Sequence, residues 1–255
     1  MTPIEPTDRG FTLGDGLFET VLAEHGRLVL WAEHMRRLAD GCAVLGLPAP
    51  DADRCAVAAR DALATAGLEA SRAAVRLTWT AGPGGRGLER PAEPHPELIV
   101  TAAPSALDPT PISLATVTLR RNPTSPTSRL KTLAYLDSVM ARRQAHAAGA
   151  GEALMLDTGG RLACAAAANL FWIEGDRLFT PALDCGVLAG TVRAALVERF
   201  APVETSVPRD ALDRADAIFL TNSLIGVRPV AHLDGRDYPA DHAMTKACAE
   251  AVAML

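Results

Sequence analysis

The stretch SRLKTLAYLDSVMARRQAHAAG, residues 128–149, decides how this chain is read. It carries Lys131, one of only two lysines among the 25 Lys and Arg residues of a 255-residue chain. The other, Lys246, lies in the alanine-rich C-terminal run AMTKACAEAVAML (243–255), whose spacing predicts an amphipathic helix. Arginine cannot stand in for lysine as an amine nucleophile, because its guanidinium keeps its proton under working conditions. A GC-rich coding sequence, consistent with the abundant Ala and Gly, would explain the loss of lysines but not the survival of Lys131. If the protein performs Schiff-base chemistry, Lys131 is nearly the only residue that can do it. After it, apolar spacing predicts a helix over about 134–148.

Upstream of this stretch, LFETVLAE (17–24) and RLVLW (27–31) flank a turn at His25 and Gly26 and predict a hairpin. Helices follow over 31–46, with Leu38, Cys42 and Leu45 on one face, and over 51–67. AAVRLTWTAG (73–82) and ELIVTAAP (97–104) predict strands around the glycine-rich loop 82–96. The proline-rich PSALDPTP (104–111) lacks periodicity and predicts a linker, giving a small N-terminal α/β domain (1–105), a linker (106–111) and a larger C-terminal domain (112–255). In the latter, ISLATVTLR, EALMLD, NLFWIE, RLFTP, AIFLTNS and VRPVAHLDG predict strands, and TVRAALVERFA a helix. The fold class expected is mixed α/β.

About half the residues are apolar, enough for substantial cores. The net charge of −5, with Arg, Asp and Glu evenly scattered, offers no basic stripe for nucleic acid. No run reaches the roughly 18 apolar residues of a membrane span, and MTPIEPTDRG lacks the regions of a signal peptide. A cytoplasmic protein is expected. Five widely spaced cysteines without a CxxC pair indicate neither a disulfide framework nor a zinc site.

Taken singly, the local signals are weak. GPGGRG (82–87) lacks the strand, helix and Lys-Ser/Thr context of a P-loop. GVLAGTVR (186–193), a glycine-bearing turn opening a helix, would aim backbone amides and a dipole at an anion, as many helix starts could. In order along the chain, however, DRGFTLGDGLFET (8–20), HMRRL (34–38), LKTLAYL (130–136), NLFW (169–172), GVLAGTVR and FLTNSLIGVRPV (219–230) resemble the fold-type IV, or class IV, pyridoxal-phosphate enzymes. These are the branched-chain and D-amino-acid aminotransferases and the aminodeoxychorismate lyases. The resemblance implies the two-domain fold of that group, pyridoxal 5'-phosphate as cofactor, a small-molecule substrate, a homodimer, and no metal.

Residue by residue, the resemblance makes Lys131 the Schiff-base lysine and the proton shuttle at the substrate carbon. A lysine suits both tasks when burial or a nearby cation lowers its pKa. Arg37 would grip the cofactor phosphate with the amides of Thr191 and Val192, and Ser223, with Asn222 beside it, would add a hydroxyl. Tyr135 would either approach the cofactor's phenolic oxygen or serve in packing. Two features point to the lyase, which converts 4-amino-4-deoxychorismate to 4-aminobenzoate and pyruvate for folate synthesis. TAGPGGRGL (80–88) is similar to that group's substrate loop, with Arg86 on a substrate carboxylate unless it is a solvated loop residue. LTNSLIGVRPV is similar to the lyase ending. A branched-chain or D-amino-acid aminotransferase, a lyase of a specialised pathway, or a non-catalytic relative are the alternatives.

Two departures stand out. Five residues before the Asn of NLF, where the family commonly has a Glu on the cofactor's pyridine nitrogen, this chain has Cys164. A buried thiol is neutral and a weak partner for that nitrogen, so the electron sink is expected to be weaker and transamination to suffer more than elimination. The second is Ala134, where many relatives carry a polar residue.

Overall fold

The computed structural model describes residues 4–255. The chain forms two compact units. One runs to Ala106 and takes in Leu130–Ala134; the other comprises Leu107–Arg129 and Tyr135–Leu255. Lys131 thus groups with the N-terminal unit, although its place in the sequence put it in the C-terminal domain.

In the N-terminal unit a short helix, α1 (Arg9–Leu13), is capped by the Asp8 carboxylate, which accepts from the Phe11 amide. Strand β1 (Gly16–Glu24) alternates, with Leu17, Val21 and Ala23 in the core. The expected partner strand is cut short: β2 is only Arg27–Leu28. Leu30 turns left-handed, with φ 53°, and Trp31 already begins helix α2 (Trp31–Leu45), because the apolar stripe of Met35, Leu38 and Cys42 claims these residues for the helix. Helix α3 (Ala52–Ala66), capped by Asp51, adds Cys55, Ala59 and Leu63 to the same core. With β3 (Arg72–Thr80) and β4 (Glu97–Pro104) the sheet has the antiparallel order β2-β1-β3-β4.

Residues 131–133 run beside the start of β1. The Phe18 amide donates to the Lys131 carbonyl at 2.9 Å and the Leu133 amide to the Gly16 carbonyl at 3.0 Å. A Cβ on Gly16 would lie 2.4 Å from the Trp79 carbonyl oxygen and 2.9 Å from Leu133 Cδ1. Glycine is what lets β3 and the lysine segment both close on this point.

The C-terminal unit is built on one nine-stranded sheet. Its strands are β5 (Ile112–Arg121), β6 (Glu152–Asp157), β7 (Leu162–Ala165), β8 (Asn169–Glu174), β9 (Arg177–Pro181), β10 (Val203–Thr205), β11 (Ala217–Asn222), β12 (Gly226–Leu233) and β13 (Arg236–Asp237). The order is β10-β9-β8-β11-β12-β5-β6-β7, with β13 on β12. Strand β7 also meets β8 at Cys164 and Asn169, so six of these strands close on themselves. Leu154, Leu162, Leu170, Trp172, Ile218 and Leu220 fill the core. Because β6, β8 and β11 are buried along nearly their whole length, they read as continuous apolar runs. Helices α4 (Leu136–Ala147), α5 (Thr191–Phe200) and α6 (Ala243–Ala253) complete the unit.

Candidate active site

Strand β1 carries two different faces past Lys131. On its core face, in line with Leu17 and Val21, stands the carboxylate of Glu19, 1% exposed. Helix α2 supplies its partners one turn apart. His34, fully buried, approaches Glu19 Oε2 through Nδ1 at 2.7 Å, and Arg37 donates through Nε to Oε1 at 2.8 Å and through Nη2 to Oε2. Burial alone would raise the Glu19 pKa, but the hydrogen bonds from Arg37 and His34 outweigh it and hold the group at about 2. Burial pushes His34 down, so the imidazole is neutral and donates from Nδ1.

On the opposite face of β1, Phe18 holds two cations against its ring: Lys131 Nζ at 4.3 Å from the centroid and Arg76 Cζ at 3.8 Å. Register explains the meeting, since Thr20 pairs with Arg76 and Phe18 with Thr78 across β1 and β3. Lys131 is lowered to about 8 by burial first and then by Arg37 and Arg76, with Glu19 opposing. A neutral amine is therefore accessible near physiological pH, as nucleophilic lysines require.

Arg86 is exposed on its loop, as a solvated arginine would be. The loop itself is fastened. Arg9, 3% exposed, donates to the carbonyls of Gly87, Leu88 and Glu89 and to Asp15 at 2.9 Å, and Asp15 also accepts from Arg90.

The other predicted residues lie in the C-terminal unit. Cys164 on β7 is 8% exposed and packs with Ala163, Cys185 and Val187. Burial raises its pKa, so the thiol is neutral. Thr191 and Val192, both buried, open α5, whose cap residue Gly190 contributes no side-chain hydrogen bond to the first-turn amides. The GVLAG turn before them is held by Arg121, which donates to the Gly186 carbonyl at 3.1 Å, and by Asn169, which donates to the Leu188 carbonyl at 2.9 Å. Asn222 spends its carboxamide on the turn after β11: Oδ1 accepts from the amides of Leu224 and Ile225, and Nδ2 donates to the Ala167 carbonyl. Ser223 is the next residue in that turn, between β11 and β12. Tyr135 precedes α4 and is half-buried.

The class IV aminotransferase profile matches residues 16–233. The chain belongs to the class IV aminotransferase family. Among solved members, 4-amino-4-deoxychorismate lyase from Pseudomonas aeruginosa is 31% identical, with a TM-score of 0.88, over 98% of this chain and 94% of that one. The branched-chain-amino-acid aminotransferase of Escherichia coli K12 is 28% identical over 217 residues, 80% of this chain and 70% of that protein. A hypothetical aminotransferase from Mycobacterium tuberculosis, solved in a form bound to pyridoxal 5'-phosphate, is 25% identical with a TM-score of 0.86 and covers 99% and 93%. Class IV aminotransferases and their lyase relatives use pyridoxal 5'-phosphate, and this family member has an amine that fits its aldehyde, that of Lys131 with its lowered pKa.

Glu19, His34, Phe18, Arg76 and Asn169 were not singled out from sequence. A signal existed for Glu19, a carboxylate at an apolar-face position of an alternating strand, and for His34 and Arg37, three apart on one helix. No helix among the described residues is long and apolar enough to cross a membrane.

Proposed function

We propose that this class IV enzyme is a 4-amino-4-deoxychorismate lyase, which forms 4-aminobenzoate and pyruvate. The observation that carries the reading is Cys164, a buried neutral thiol on β7 at the position where the resemblance expects a carboxylate against the cofactor's ring nitrogen. The bound cofactor supplies an electron sink. A neutral partner at the ring nitrogen weakens that sink. Transamination would depend on that sink in each of two half-reactions. Elimination is drawn forward by formation of an aromatic ring.

In this reading Lys131 takes the proton from the carbon that bears the substrate amine. The C–O bond to the enolpyruvyl group then breaks, the proton goes to that group as it becomes pyruvate, and the ring left behind is aromatic. Arg37, Ser223 and the amides of Thr191 and Val192 would hold the phosphate, and Tyr135 would either approach the cofactor's phenolic oxygen or serve in packing. Arg86 would take one carboxylate of the dianionic substrate, and Arg76, which lies with Lys131 against the Phe18 ring, would take the other. The resemblance also implies a cytoplasmic homodimer serving folate or a related pathway. The Escherichia coli relative supports a second reading, branched-chain aminotransfer.

The test is to incubate cofactor-loaded protein with enzymatically generated aminodeoxychorismate and follow both products, with Lys131→Ala as control. Product that falls on the order of 10³-fold or more in the control is expected, since a positioned proton shuttle contributes about that much. No product from fully loaded protein overturns the lyase and leads to a screen of amino donors.

A further inference from the structure

Asn169 occupies an unusual crossing in the C-terminal unit. Its backbone registers with Cys164 of β7 on one side and with Thr221 of β11 on the other, so it closes the ring of six strands. Its side chain, 7% exposed, leaves the strand and reaches the turn before α5, where Nδ2 donates to the Leu188 carbonyl at 2.9 Å. Oδ1 lies against the cap residue: a Cβ on Gly190 would sit 2.1 Å from it, and only 3.3 Å from Cγ. Gly190 has φ −68° and ψ 144°, a conformation open to any residue, so close approach, not backbone freedom, is what demands glycine there.

One carboxamide therefore fixes the two residues that set the aim of the first amides of α5. The start of a helix carries N–H groups and the positive end of a dipole, both of which favour an anion. We infer that Asn169 is a positioning residue for anion capture: by bracing Leu188 and abutting Gly190 it holds the amides of Thr191 and Val192 in register with the cofactor's phosphate. The inference rests on the reading above that the phosphate sits at this helix start. It assigns to Asn169 a selective part of cofactor affinity, the part that distinguishes pyridoxal phosphate from pyridoxal.

The experiment titrates apo-protein with pyridoxal 5'-phosphate and with unphosphorylated pyridoxal, followed by absorbance, for the wild type, Asn169→Ala, Gly190→Ala and the double variant. Misaimed amides cost the phosphate about tenfold in affinity, the effect of losing roughly one good hydrogen bond to a charged group, while pyridoxal affinity stays within about twofold. Gly190→Ala drives a methyl into Oδ1 and is expected to reproduce the loss. In the double variant that collision is gone, so it should bind no worse than Asn169→Ala alone. Equal weakening toward both aldehydes, or no weakening of either, overturns the inference, as does a double variant that adds the two single losses. Should Asn169→Ala not fold, Gly190→Ala alone decides by the same ratio. Failure of the underlying reading looks different: the wild type itself would bind the two aldehydes equally well.

Discussion

Beside Lys131 the N-terminal unit buries a complete ion pair, Glu19 with Arg37, and closes it with a neutral His34. The polar residues at the heart of the C-terminal site, Cys164 and Asn169, are neutral and comparably buried. Taking a charge out of water is costly and is repaid only by a well-made partner. The N-terminal unit meets that cost with a bidentate pair, and Arg37, held there, helps lower the lysine. In the C-terminal unit the start of α5 carries the positive end of a helix dipole, which favours an anion. One unit sets a protonation state; the other sets an aim.

The comparison is broken most severely by Glu19→Ala. It leaves Arg37 and His34 at a site built for a carboxylate, and removing one partner of a buried pair costs about 3–5 kcal/mol. Urea melts of the apo-protein should show this, with Glu19→Gln intermediate because its amide oxygen still accepts. A loss below about 1 kcal/mol would mean that the pair behaves like an exposed one. Asn169→Ala should cost less, since no charge is stranded.

How much of this was readable in the chain differs between the two units. Lys131, the GVLAG turn and five of the six closing strands were visible because each is local: an isolated amine, a glycine turn before a helix, an apolar run. Strand β7, four residues of LACA, was not, for want of β-branched or aromatic residues. The Glu19, His34 and Arg37 cluster has a sequence signature, but its meaning depends on β1 packing against α2. The placement of Leu130–Ala134 with the N-terminal unit depends on pairing with β1, which no spacing reveals.

The next effect in size concerns pH. Lys131 is at about 8 in the folded protein and near its ordinary value of 10.5 when unfolded. Between these values the unfolded chain binds more protons, so stability of the apo-protein rises with pH across that window, and the penalty is fully present below about 8. Lys131→Met should abolish the rise. Equal slopes in the two proteins from pH 8 to pH 10 would show that other groups cause it.

Cys164→Glu tests the neutral side of the comparison. A carboxylate introduced at the proposed ring-nitrogen position should raise aminotransferase turnover several-fold, about 1 kcal/mol in barrier. The cofactor's absorbance should also shift as the ring nitrogen keeps its proton. An unchanged spectrum together with unchanged turnover would place Cys164 away from the ring and remove the main support for elimination over transamination.

The smallest effect is expected at the second charged device of the N-terminal unit, the fastening of the loop that carries Arg86. Asp15 accepts from both Arg9 and Arg90, and its pKa is lowered chiefly by the hydrogen bond from Arg90, with the one from Arg9 adding to it against burial. Arg9 in turn holds three consecutive loop carbonyls, so the loop is tied through one carboxylate. Asp15→Asn keeps the shape and removes the charge. Arg9 still reaches the carbonyls, but its own position is then set by a neutral amide, and the loop should open locally more often without unfolding the unit. Trypsin reads this directly, because Arg86 is exposed at the centre of the loop. Early cleavage between Arg86 and Gly87, identified by mass spectrometry, should be several-fold faster in Asp15→Asn, corresponding to about 1 kcal/mol of local opening. If Arg86 also holds a substrate carboxylate, KM should rise with kcat nearly unchanged, because a looser loop weakens binding without touching Lys131. Faster cleavage with an unchanged KM would confine the fastening to structure and leave Arg76 as the arginine that meets the substrate. Unchanged cleavage would show that Asp15 does not hold the loop.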